Sequence, residues 1–292
     1  MTYEGNYAGY STSGSIYEAG VCVKTVNTKS FCTTDNEEFY SANKVSTNDW
    51  SSYSTAASGT FGLGKSSPIW TIIGSPSTKM FDVYMTNFNS WTWAESDYVP
   101  YTQHSIINLG AFSDQYVSNM PSSVISPRSL NSYLFELEEF GFGKTDETAG
   151  TEYYKDLKNS DDLEYGFWAN STSLALNFRG LGLPTKLFNT FSNLLSIISK
   201  GESTCLEYKS GYCVLSNPCD YYASTGLWDY DFKIKFGHSS TETYLRVPLA
   251  TFAANSDKDG GVCVIFVEFL DDRNDDSKSI MFGGMFFQSI YA

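Results

Sequence analysis

A mostly β fold is what this sequence predicts, on three observations. Tyr and Phe each number 21 among 292 residues, with abundant Ser and Thr, and aromatic side chains and Thr suit a pleated surface better than a helix. Short apolar runs alternate with Ser, Gly and Thr turns along most of the length. Only one stretch carries a long, clear helical period.

From residue 1 to about 113 the runs SIYEAGVCVKTV, NEEFYSANKV, KMFDVYMTNF and SIINLGAF read as strands. A single short helix is expected near 67–74, after Ser67-Pro68. Cys22 and Cys32 flank VCVKTVNTKSFC, a hairpin whose cross-strand neighbours are placed to meet. The segment 113–131 carries two prolines and few large apolar clusters, so it reads as a crossing between two halves, 1–120 and 121–292. The second half opens with SYLFELEEFGF. Its helix is LPTKLFNTFSNLLSIISKG, where Leu187, Phe188, Phe191, Leu194, Leu195 and Ile198 recur at helical spacing and Gly201 is the stop. YDFKIKFG, TETYLRVPLATFA, GVCVIFVEFL and SIMFGGMFFQSIYA follow as strand-like stretches.

Charge narrows the range of functions. With 33 acidic and 19 basic residues the chain carries a formal −14, which repels phosphate backbones and anionic membranes, so nucleic acid is not an expected partner. No apolar run approaches the roughly 18 residues of a membrane span, and MTYEGNYAGYS has neither the basic start nor the apolar core of a signal peptide. The expectation is a leader already removed, or a start inside a longer protein. Six cysteines without a Cys-x-x-Cys give zinc and thioredoxin-like chemistry little support. Disulfides in an oxidising compartment remain, with connectivity open among about fifteen pairings. The sequon Asn170-Ser171-Thr172 is compatible with glycosylation and secretion. A secreted, vesicular or cell-surface setting is therefore expected.

Local motifs supply no cofactor and no metal site. GFGKT at 141–145 imitates a phosphate loop, yet the required first glycine is Glu138, so a turn between strands is expected. DDRNDDSK at 271–278 lacks the glycine and closing glutamate of an EF-hand and reads as a solvated hairpin tip, and DKDGG at 257–261 reads as a turn. His104 and His238 lie in different halves with no Gly-x-Ser-x-Gly near either, which leaves a Ser-His-Asp or Cys-His hydrolase without support. The acidic residues lie mainly in apparent loops, and none stands out as buried.

Several segments, taken in order, carry a resemblance. In NYAGYSTSGSIYEAGVCV a tyrosine precedes a Ser-Gly pair by seven residues and a valine-rich strand by fourteen. ASGTFGLGKSSPIW, MFDVYM, HSIINLGAF and MFGGMFFQSIYA follow in sequence. This order resembles the pepsin-like aspartic proteases, entered partway through their N-terminal lobe. The resemblance implies a bilobal pepsin-like acid protease fold with an incomplete N-terminal lobe. It makes Tyr7 the flap tyrosine and Gly14 the flap's turn glycine, with Ala8 and Tyr10 replacing two flap glycines. Ser58 stands where the family's Asp-Gly-Ile-Leu-Gly segment has its aspartate; Gly284 and Gln288 stand for an aspartate and an arginine near the end. Cys219 with Cys263 matches the family's C-lobe disulfide, and Cys205 with Cys213 closes a local loop. Strands that the family has and this chain lacks are expected from residues beyond it or from another chain.

The same resemblance makes TSLALNFRGLGLP, 172–184, the place of the second catalytic turn, and it contains no acid. Counting back from Leu183-Pro184, the family's Asp-(Thr/Ser)-Gly-(Thr/Ser) falls on Ala175, Leu176, Asn177 and Phe178. Another register puts Ala169 at the aspartate, and a shortened loop puts Asn177 there. Paired aspartates in such enzymes share one proton, one activating water while the other protonates the carbonyl. Alanine does neither, and losing one such group costs about 10²- to 10⁴-fold. The expectation is a catalytically inactive scaffold with a protein partner or assembly role, Phe178 and Arg179 filling the catalytic turn. Two rivals are an acid endopeptidase drawing on Asp161 or Asp162, and a lectin-like module using Trp91 and Trp93, spaced i and i+2 on one strand face.

Overall fold

The computed structural model describes residues 2–7, 10–24, 29–33, 35–46, 67, 69–74, 80–84, 106–110, 134–146, 151–156, 171–174, 180–205, 212–237, 244–255, 261–270 and 279–288. The chain gathers into two units, 1–82 with 107–113, and 83–106 with 114–292.

In the first unit β1 (Thr2–Tyr7), β2 (Tyr10–Ala19) and β5 (Glu37–Ser46) form an antiparallel sheet in the order β1-β2-β5. Between β2 and β5 the chain makes a separate ribbon of β3 (Cys22–Lys24) and β4 (Ser30–Cys32), with Cys22 opposite Cys32. The helix expected after Ser67-Pro68 is a single turn, α1 (Ile69–Ile72), and Ile69, Trp70 and Ile72 are buried. Strands β6 (Phe81–Tyr84) and β7 (Ile106–Leu109) form a two-stranded ladder.

The second unit is built on an eight-stranded sheet. Its strands are β8 (Leu134–Asp146), β9 (Thr151–Asp156), β10 (Ser171–Leu174), β11 (Leu181–Pro184), β14 (Asp231–Phe236), β15 (Leu245–Pro248), β18 (Val267–Leu270) and β19 (Ser279–Phe282). The order is β15-β14-β8-β10-β19-β11-β18, with β9 added alongside β8. A four-stranded sheet, β12-β13-β17-β16, is made by β12 (Ser203–Cys205), β13 (Cys213–Leu215), β16 (Ala253–Asn255) and β17 (Cys263–Ile265). The chain is thus mostly β, as its aromatic and alternating composition predicts.

Helix α2 (Thr185–Ile198) begins on Pro184, whose fixed φ suits a helix entry, and buries Leu187, Phe188, Phe191 and Leu195. Leu194 and Ile198, of the same periodic set, are half-buried. Past its end Lys200 and Gly201 both take left-handed φ, and the Gly201 N–H reaches back to the Ser196 carbonyl at 2.7 Å, the bond of a Schellman stop. The face that α2 buries meets β8 and β14 through rings: Phe191 lies 5.1 Å from Phe142 and 5.6 Å from Phe232, centroid to centroid. Phe140, Phe232 and Phe282 are fully buried in the same cluster. Each such phenylalanine contributes roughly 1.5–3 kcal/mol of transfer free energy. A second short helix, α3 (Cys219–Ala223), follows β13.

Several local expectations are corrected. GFGKT is not a turn: residues 141–145 lie inside β8, which runs unbroken because both its edges are paired, with β14 and β9. Its glycine is there for close packing, since a Cβ on Gly143 would stand 2.0 Å from the Tyr153 carbonyl oxygen. DDRNDDSK is not a hairpin tip joining neighbours: β11 lies between β18 and β19, parallel to the first and antiparallel to the second. Residues 271–278 themselves lie outside the described residues, as do 257–260, although Gly261 takes the left-handed φ of a turn. Gly14 is within β2, paired with Tyr3 and Ala42, where the β2–β5 register shifts.

Candidate functional site

The stretch without an acid is held by the centre of the large sheet. β10 pairs with β19 in parallel, and β11 pairs with β19 antiparallel on the other side. Leu174, the last residue of β10, and Leu181, the first of β11, are therefore both register partners of Phe282. The connection 175–180 starts on one flank of the β19 terminus and finishes on the other.

Its return is fixed by backbone. The Gly283 N–H donates to the Gly180 carbonyl at 2.8 Å, and the Leu181 N–H donates to the Phe266 carbonyl at 2.9 Å. A Cβ on Gly180 would stand 1.8 Å from the Phe266 oxygen, so only glycine allows this approach. Leu181, Gly182, Leu183 and Pro184 are all buried. After β19, Gly283 and Gly284 turn the chain into a 3-10 helix, Phe286–Gln288, with Phe286 and Phe287 N–H groups donating to the Gly283 and Gly284 carbonyls. Phe282 and Phe286 pack at 4.3 Å between ring centroids.

This place carries no carboxylate of its own. Neither 171–184 nor 280–287 contains an Asp or a Glu. The buried carboxylate with a register position on β11 is Glu268, 1% exposed, on β18 opposite Gly182. In the first unit Asp82 is fully buried and accepts a hydrogen bond from Asn108 Nδ2 at 2.6 Å. Two acids that do not stand out in the sequence are thus buried. Both residues are single acids inside apolar strand runs, FDVY and VEFL.

The sequence reading also missed a polar network on β9, β8, β14 and β15. The Tyr154 hydroxyl donates to Asp231 Oδ1 at 2.7 Å and accepts from Arg246 Nη1 at 2.6 Å. Glu152 accepts from Lys233 Nζ at 2.6 Å and from Arg246 Nη2. Burial raises the Asp231 carboxyl above its ordinary value, against the pull of the Tyr154 hydrogen bond, and burial also raises the Tyr154 hydroxyl. The Lys233 hydrogen bond holds Glu152 low. Lys233 also stands 4.0 Å above the Tyr244 ring. Through Thr145, which bonds both Tyr154 and Arg246, the network also reaches β8, so it ties four strands together.

The remaining predicted residues fall as follows. Tyr7 ends β1 opposite Tyr10, where β1 and β2 pair antiparallel, and residues 8 and 9 lie outside the described residues. Ala169, Asn170, Ala175, Leu176, Asn177, Phe178 and Arg179 lie outside them too, as do Ser58, Trp91, Trp93, His104, Asp161, Asp162 and His238. The six cysteines pair as Cys22–Cys32, Cys205–Cys213 and Cys219–Cys263. Among the described residues no cluster of three His, Cys, Asp or Glu is placed to hold a metal ion, and no helix is long and apolar enough to cross a membrane.

The mostly β architecture is that of the pepsin-like aspartic proteinase fold. Over 99% of this chain and 76% of the other, it is similar to the crystal structure of the aspartic proteinase from Irpex lacteus, at a TM-score of 0.60 and 12% sequence identity. The likeness at that identity is one of fold. No family model matches the chain, and no curated protein matches it.

Proposed function

We propose that the chain is a catalytically inactive pepsin-like scaffold that serves a structural or protein-binding role in a secreted or surface assembly. Its two lobes correspond to 1–120 and 121–292. The observation that carries this reading is the sequence Ala175-Leu176-Asn177-Phe178-Arg179 between two strand ends whose register partner is the same residue, Phe282. By the resemblance this stretch, or Ala169 in the other register, takes the place of the second catalytic turn, and residues without a carboxylate supply neither a base for water nor an acid for a carbonyl. Three disulfides fit an extracellular or secreted protein, and the acidic surface selects against polyanionic partners.

The test is proteolysis. Purified protein incubated with a denatured protein substrate between about pH 3 and 5 should release no peptides above a no-enzyme control, and a pepstatin-type inhibitor should show no binding by calorimetry. Acid-dependent cleavage that pepstatin abolishes, and that Asp161→Asn or Asp162→Asn removes, would establish the endopeptidase reading in its place.

A further inference from the structure

We infer that the Cys22–Cys32 bridge is a thiol-cleavable latch, opened by an external dithiol while the other two disulfides stay closed, and that its opening releases the β3–β4 ribbon. Access separates the three bonds. Both Cys22 and Cys32 are exposed, whereas Cys213 and Cys263, one partner in each of the other bonds, are fully buried. Exchange requires a thiolate to reach one sulfur in line with the bond, and in the other two bonds only the half-buried Cys205 and Cys219 sides are open to it, whereas Cys22–Cys32 is open at both.

Topology makes the cleavage consequential. The ribbon has only three register pairs, Cys22 with Cys32, Val23 with Phe31 and Lys24 with Ser30, and no described strand extends it on either side. At its base the Thr33 N–H donates to the Val21 carbonyl at 2.9 Å and the Val21 N–H donates to Thr33 Oγ1 at 3.0 Å. Its Phe31 is 37% exposed. A two-stranded ribbon that no further described strand joins is marginal in water. Cys205–Cys213 is an internal comparison: it is also cross-strand, but β13 continues into a four-stranded sheet.

The step balances as ordinary exchange. A dithiol thiolate attacks one sulfur and expels the other cysteine as a thiolate, which takes up a proton. The second thiol of the reagent then attacks the mixed disulfide, closes the reagent to its own disulfide and leaves two cysteine thiols. Two electrons pass from the reagent to the protein.

The experiment titrates the native protein with dithiothreitol, quenches with a maleimide and maps labelled cysteines by mass spectrometry, with trypsin susceptibility followed in parallel. Labelling of Cys22 and Cys32 at least tenfold faster than the other four, together with at least tenfold faster cutting after Lys24 or Lys29 on reduction, is the expected result. The Cys22→Ser/Cys32→Ser protein should be cut at the reduced rate without reagent. Labelling of Cys205 and Cys213 first, labelling of all six together, or unchanged trypsin cutting on reduction would each overturn the latch, and the wild-type labelling decides even where the double variant does not fold.

Discussion

Gly180 shows how one residue holds the centre of this protein. Its backbone meets the Phe266 carbonyl so closely that a Cβ has no room, and its own carbonyl accepts from Gly283. Gly180→Ala should therefore destabilise by more than about 3 kcal/mol, beyond ordinary overpacking, because the clash is with backbone; the urea midpoint measures it. Glu152 and Asp231 give opposite pH signatures. The Lys233 hydrogen bond lowers Glu152, so its stabilisation is present above the ordinary glutamate value of about 4.3 and is lost as pH falls through the lowered value. The thermal midpoint of Glu152→Gln should lie below wild type at pH 7, with the gap closing below about pH 4. Burial raises Asp231, so its contribution is present below about pH 3.9 and is lost as pH rises. Asp231→Asn, which still accepts from Tyr154, should gain in midpoint relative to wild type between pH 3 and 7; a constant offset across that range would refute the assignment.

Among the elements, α2 was the most legible in the sequence. Six apolar residues at helical spacing, a Leu-Pro entry and a glycine stop are local signals, and the helix runs Thr185–Ile198 as they require. Phe191 is the residue through which it grips β8 and β14. Truncating it to alanine should cost about 3–5 kcal/mol, read from chemical denaturation, because a fully buried ring leaves a cavity that its rigid aromatic neighbours fill only in part. Strands were legible as strands but less so in their partners. GFGKT read as a turn because Gly-x-Gly is usually a break, while here Gly143 admits the close approach of β9. The hairpin of Cys22 and Cys32 was legible because both strands and the turn lie within a dozen residues.

Across the whole molecule, the long-range cross-link is Cys219–Cys263, spanning 44 residues, with Cys263 fully buried. By loop-closure entropy its removal should cost roughly 4 kcal/mol, measurable as a lower denaturant midpoint in the Cys219→Ala/Cys263→Ala protein. The pairing was implied by the resemblance and not by spacing, since the chain between the two cysteines includes α3, β14, β15 and β16. The same division applies to the candidate site. That 172–184 carries no acid is a property of the sequence. That its two flanking strands straddle β19 is a property of the sheet.

The sequence by itself determined the β-rich character, the one long helix with its stop, the cysteine hairpin and the chemistry missing from the 172–184 stretch, all of which depend on residues near one another in the chain. Tertiary structure alone decided the strand order, the burial of Asp82 and Glu268, and the glycines needed where backbones cross. Alternation with period two tells which residues share a face. It does not tell which strand lies beside it, because neighbours in a sheet are chosen by packing between segments far apart in sequence.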